Sequence, residues 1–299
     1  MTGSRAALLL VLVAGTVLLQ GEPQPRTIRK CIAGHPLPWA DCAYRWQPDP
    51  HIMPGVQTIG MIKFATGKLP PAETMLTWMA EAGNWQRWLI VFNECEEQVQ
   101  CNASPEVAAQ ALRVIEGKYK ASDIRLIVGG SIMWSGGYQW MVAMVESYRA
   151  RYGEYPQPAG WHFHVYAGTN HPTPQSMYAA AVAQVENVRR FVARYGNDGQ
   201  QVWLTEFGCL WAEVCTPDYV REYMRLMLSC LDTIGCGAFF DRVFWFTTET
   251  GKEWAHTSLL DGEGQPNGLA QVYEDWRPVG AVPLSPSRVF LPAVRSSSA

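Results

Sequence analysis

The most constraining feature of this chain is a rhythm. Short runs rich in Val, Ile, Phe and Trp recur at residues 56–63, 88–94, 124–132, 161–168, 201–208 and 242–248. Their starts lie mostly about forty residues apart, which leaves room for one strand, one helix and two loops. The runs are nearly continuous in apolar residues, the pattern of strands buried on both faces in a parallel sheet. The segments between them predict helices. Ser104-Pro105 and Thr216-Pro217 each supply an N-cap followed by a proline at the first helical position, and Gly196 and Gly235 supply stops. Repetition without a second zone of composition argues for one α/β domain, over residues 26–278. No G-x-G-x-x-G or G-K-[ST] loop follows any run, so a nucleotide-binding open sheet loses its main support. The expected fold is a (β/α)8 TIM barrel. Its fourth to eighth strands can be counted back from the last run. The first three must fit into residues 26–63, where only "CAYRW" and "VQTIGMIK" offer candidates. An atypical or degenerate early strand is therefore expected. Residues 279–299 read as a loose C-terminal tail.

Hydrophobic content of 48% against 17% charged residues supplies a large core and excludes global disorder. A net charge of -3 gives no support for a nucleic-acid partner. One Arg followed by an apolar run from Ala6 to Leu19 has the layout of a secretory signal peptide, assigned to residues 1–21. The chain is then secreted or extracytoplasmic, free of the membrane once the leader is removed, and anchored at its N-terminus if the leader is not cleaved. The eight cysteines fit export. They fall in four near pairs, and local bridging (Cys31 with Cys42, Cys95 with Cys101, Cys209 with Cys215, Cys230 with Cys236) is the simplest choice among the open connectivities. Asn102 opens a glycosylation sequon that matters only in a glycosylating host.

In a parallel barrel the active site forms at the C-terminal ends of the strands. The 88–94 run ends in Asn93-Glu94, and the 201–208 run ends in "LTEFG" with Glu206. Two carboxylic acids emerging at one rim are what glycoside hydrolysis needs: one protonates the leaving oxygen, the other attacks the anomeric carbon or activates water. A charge ending an apolar strand, as Glu206 does, carries a burial cost that needs a reason. His162, His164 and Tyr166 are spaced by two and share one strand face. Glu96 and Glu97 fall after the run, between two cysteines, and read as a solvated loop. Trp46, Trp134 and Trp211 lie just past strands, where a groove should be, and are candidate substrate-binding walls.

"FNE", "HVY", "WLTEFG" and "VFWF" together resemble the clan A glycoside hydrolases, and most closely the family 128 endo-β-1,3-glucanase-like catalytic cores. "YRW" and "VQTIGMIK" resemble that group's first two strands, so the likeness runs from about residue 40 to 275. The resemblance implies a barrel and a retaining double displacement, with Glu94 as general acid/base and Glu206 as nucleophile. It assigns Asn93 to the sugar's 2-hydroxyl, His164 and Tyr166 to the reacting sugar and the nucleophile, and Trp245 to a stacking floor. Two departures stand out: Cys95 where the group has proline after the acid/base, and Lys63 where a Met-Leu-Trp pattern is usual. The expected activity is hydrolysis of O-glycosidic bonds in a β-linked polysaccharide or oligosaccharide, with β-1,3-glucan as the substrate the resemblance suggests. β-Xylan, β-mannan and β-1,4-glucan remain alternatives. So do a non-catalytic glycan-binding barrel and a metal-dependent hydrolase built on His162 and His164. The preferred reading uses no cofactor and no metal, and expects a monomer.

Overall fold

The computed structural model describes residues 27–49, 53–251 and 253–278. The proposed leader and tail lie outside them. Eight parallel strands close into a barrel in chain order: β1 (Arg29–Ala33), β2 (Cys42–Tyr44), β3 (Gln57–Ile62), β4 (Trp88–Val91), β5 (Arg125–Ile132), β6 (Gly160–Val165), β7 (Gln201–Phe207) and β8 (Arg242–Phe246). The helices are α1 (Ala72–Glu81), α2 (Pro105–Tyr119), α3 (Ser135–Tyr152), α4 (Pro174–Tyr195), α5 (Pro217–Leu231) and α6 (Gly268–Asp275).

The missing early strand is β1, in "RKCIA". "YRW" and "VQTIGMIK" therefore belong to the second and third strands rather than the first two. β1 was hidden by its charges: Lys30 is buried and donates from Nζ to the carbonyls of Tyr273 and Glu274 at the end of α6. β2 is the shortest strand, and the Cys31–Cys42 disulfide ties it to β1 at the first rung of their pairing. The other bridges are Cys95–Cys101, Cys209–Cys215 and Cys230–Cys236, a set that fits an oxidising compartment.

Ser104 and Thr216 cap α2 and α5 as their sequences predict, each accepting a backbone N–H from three residues ahead. α5 ends at Leu231, four residues short of the expected Gly235, because the chain turns there through the Cys230–Cys236 clip. No helix among the described residues is long and apolar enough to cross a membrane.

Strand alternation sorts the core into two layers. Outward side chains such as Val91, Phe207 and Trp245 pack under the helices. Inward ones such as Tyr44, Met61, Trp88, Trp203 and Phe244 fill the barrel. At the C-terminal end the inward layer turns polar.

Candidate active site

Glu206 owes its direction to an irregularity. In β7, Trp203 points inward and Leu204 outward, and the pairings to both neighbours then slip, between Phe163 and His164 on β6 and between Leu204 and Phe207 toward β8. Bulges of this kind re-aim a side chain. Thr205 and Glu206 both turn into the barrel, and Phe207 returns to the outer layer. Three donors converge on the Glu206 carboxylate. Tyr44 Oη and Trp46 Nε1 donate to Oε1 at 2.6 and 2.8 Å, and Tyr166 Oη donates to Oε2 at 2.7 Å. Burial first, and then the Glu206 charge, push both tyrosine hydroxyls far up, so they remain donors.

Glu94 is held differently. β4 ends at Val91, three residues earlier than the apolar run suggests. Beyond it the backbone enters the left-handed region at Phe92 (φ 75°) and Glu94 (φ 48°). Side chains there cost of order 1–3 kcal/mol each and persist only where the surroundings fix them. Glu94 N donates to Gly130 O at 2.8 Å, and the Cys95–Cys101 disulfide closes the loop behind it. The Glu94 carboxylate is buried, and its Oε1 accepts from His164 Nδ1 at 2.8 Å. Burial pushes Glu94 up; the His164 hydrogen bond and charge oppose this, and the Glu206 charge reinforces it, leaving Glu94 above the ordinary glutamate range. Burial alone would lower His164, but the charges of Glu206 and Glu94 outweigh it and the imidazole is raised.

His164 Nδ1 is also 3.5 Å from Glu206 Oε2. Ligand atoms of Glu94, His164 and Glu206 all lie within 4.8 Å of one another. That spacing could surround a cation; in the structure Glu206 accepts three hydrogen bonds and His164 Nδ1 donates to Glu94 Oε1. His162 stands apart from this trio. Its ring nitrogens meet Thr205 Oγ1 at 2.8 Å and Val91 O at 3.0 Å, and burial lowers it to about 3, so it is a neutral interior residue. The two carboxylates open into a cleft of about 290 Å³ walled by Trp46, Lys63, Tyr166, Phe246 and Trp254.

Residues 29–273 match the family model described as "Glycosyl hydrolase catalytic core". The chain belongs to this family. It is thus a glycoside hydrolase. No curated protein matches it. Solved structures share its fold at low identity. A family 128 (subgroup II) endo-β-1,3-glucanase from Pseudomonas viridiflava has a TM-score of 0.62 at 20% identity, covering 85% of this chain and 99% of that one. A subgroup I endo-β-1,3-glucanase from Amycolatopsis mediterranei, solved with laminarihexaose, has a TM-score of 0.59 at 20% identity, covering 82% and 98%. A subgroup III curdlan-specific exo-β-1,3-glucanase from Blastomyces gilchristii, solved with glucose, has a TM-score of 0.59 at 18% identity, covering 83% and 97%.

The hydrolase brings Asn93, Glu94, Tyr166, Glu206 and Trp46 to one cleft, with His164 behind the two carboxylates. Trp46 does more than form a wall, since its indole N–H holds Glu206. Trp134 and Trp211 stay outside this lining. Trp134 is half-exposed just past β5, and Trp211 is partly exposed past β7 with Nε1 donating to Ala167 O. Trp245 is a correction. Alternation along β8 sends Phe244 and Phe246 inward and Trp245 outward, where it is fully buried against Phe207 and Tyr273 and donates to Thr257 O. It cannot floor a sugar; Phe246 and Trp254 line the cleft instead. Glu96 is a second correction. Its carboxylate is largely buried, with Oε1 accepting from Ile132 N at 2.6 Å, and burial raises it to about 7. Tyr44 was given no role in the sequence, although it ends β2 two residues before Trp46.

Proposed function

We propose that this hydrolase cleaves β-1,3-linked glucan with retention of configuration. The observation that carries the reading is the pair of carboxylates, with oxygens within 4.8 Å in contrasting surroundings. Retaining enzymes hold their two carboxyl groups about 5–5.5 Å apart, against about 6.5–9.5 Å where a water must fit between. Contrasting environments separate the roles of two like groups. The substrate class is supported by fold neighbours that are β-1,3-glucanases.

Glu206, acceptor of three hydrogen bonds, is the nucleophile. One of its oxygens forms a bond to the anomeric carbon while the glycosidic C–O bond breaks, its electron pair leaving on the departing oxygen. Glu94 supplies the proton to that oxygen. The His164 bond to Oε1 leaves Oε2 to carry it. In the second step the Glu94 carboxylate takes a proton from water, whose oxygen displaces Glu206 and restores both groups. Asn93 lines the cleft with a buried Oδ1 that has no hydrogen-bond partner among the described residues, suited to accept from the sugar's 2-hydroxyl. The exposed faces of Trp134 and Trp211 suit stacking by sugar units farther along the chain. The four disulfides support action outside the cytoplasm.

The test is incubation with laminarin, curdlan, xylan, mannan and a β-1,4-glucan, with the released reducing sugars identified. Laminari-oligosaccharides or glucose from the first two substrates are expected. Release confined to xylan or mannan would overturn the assignment.

A further inference from the structure

Ladder pairing between β4 and β5 ends at Val91 and Val128, and one main-chain bond beyond it, Glu94 N to Gly130 O at 2.8 Å, ties the loop to β5, which runs on to Ile132. The amide of Ile132 is therefore left facing the loop that carries Glu94, with no rung to receive it. The side chain of Glu96 supplies one, at 2.6 Å. The same oxygen lies close against the first turn of α3, where a Cβ on Gly137 would come within 3.2 Å of it. On its other side β5 pairs with β6, and there Ile132 is the register partner of His164, the residue that holds Glu94. One carboxylate thus links the loop of the proton donor to the strand beside the donor's own partner.

We propose that Glu96 is a positioning residue for the general acid: its carboxylate acts as the missing rung between β4 and β5 and holds the clipped loop so that Glu94 keeps its line to His164. This role rests on Glu94 being the acid, as argued above. It accounts for Glu96, whose carboxylate a plain solvated loop would leave in water rather than on the Ile132 amide. The loop's left-handed residues at Phe92 and Glu94 require outside support; the Glu94 N to Gly130 O bond fixes the loop to β5 at one point, and the Cys95–Cys101 bridge closes it without a second attachment there.

A positioning role differs from a merely structural one in its dependence on the leaving group. A dinitrophenolate leaves without a proton, so its departure does not need Glu94 in place. Two substrates would be compared, laminarin and a 2,4-dinitrophenyl β-laminaribioside, the second read by its pre-steady-state burst of phenolate. For Glu96→Ala, kcat on laminarin should fall about 30- to 100-fold with KM within about 2-fold, while the burst rate stays within about 3-fold of the parent. Glu96→Gln keeps an acceptor for Ile132 N and should lose less than about 5-fold on either substrate. Glu96→Asp keeps the charge but withdraws the oxygen by one methylene. It should behave like Glu96→Ala, and it carries the test if the alanine variant does not fold. Equal losses on both substrates, or no loss from either Glu96→Ala or Glu96→Asp, would overturn the role of Glu96 alone. An α-anomer released first from laminarin by the parent enzyme would sink the reading of Glu94 and Glu206 as well.

Discussion

The loops that follow β4 and β7 share a device. Each carries a disulfide whose cysteines are six positions apart. Their glutamates are nevertheless held in opposite ways. Glu206 sits within a strand, aimed by a bulge and gripped by three donors. Glu94 sits beyond its strand on left-handed backbone, with one side-chain partner and a neighbouring carboxylate bracing the loop. The difference matches two chemical tasks. A nucleophile must present a fixed anion, which a rigid strand and convergent donors provide. A proton donor must be held neutral until needed, which burial and a nearby negative charge favour.

The largest effect should come from removing the strand-held partner. Glu206→Ala is expected to lower kcat on β-glucan by at least about 10⁴-fold, measured by reducing-sugar release. Glu94→Gln should cost roughly 1,000-fold on the same substrate, and far less in the burst from an aryl glycoside with a good leaving group. If both substrates suffered equally under Glu94→Gln, the two glutamates could not have the separate roles assigned to them. Tyr166→Phe removes one of the three donors to Glu206 and should cost about 10- to 100-fold, since a hydrogen bond to a charged group is worth about 1.5–3 kcal/mol.

The pH profile sharpens the contrast. Glu94 must be protonated in the first step, and it lies above the ordinary glutamate range, so kcat/KM should persist above that range and fall as Glu94 ionises. The His164 hydrogen bond and charge pull Glu94 down. His164→Asn, which removes the charge, should therefore move the alkaline limb to higher pH. A limb that stayed in place or moved to lower pH would separate it from Glu94.

The smallest effects concern the clips. Replacing both cysteines of either bridge by serine should cost about 2 kcal/mol of stability, read as a fall of several degrees in Tm. Only loss of Cys95–Cys101 should also slow turnover, because Glu94 rides on that loop while Glu206 is fixed by its strand.

Much of this was legible in the chain. The spacing of the apolar runs gave five strands and their order, and helix starts at Ser104 and Thr216 were readable because capping is a local matter. Both glutamates could be found because a charge closing an apolar run is costly without a purpose. What stayed hidden depends on contacts between distant segments. β1 carries Arg and Lys, and the Lys30 ammonium donates to carbonyls more than two hundred residues away. Trp245 looked like a binding residue until its register showed which way it points, and that follows from the inward Phe244 and Phe246. Glu96 looked solvated because its partner, the amide of Ile132, belongs to another strand.

The most direct test is the configuration of the first-formed product, followed by ¹H NMR during hydrolysis of a laminari-oligosaccharide before mutarotation sets in. A double displacement between Glu206 and Glu94 delivers the β-anomer first, with the α-anomer growing later. An α-anomer formed first would mean that water attacks directly, and would contradict the covalent role given to Glu206.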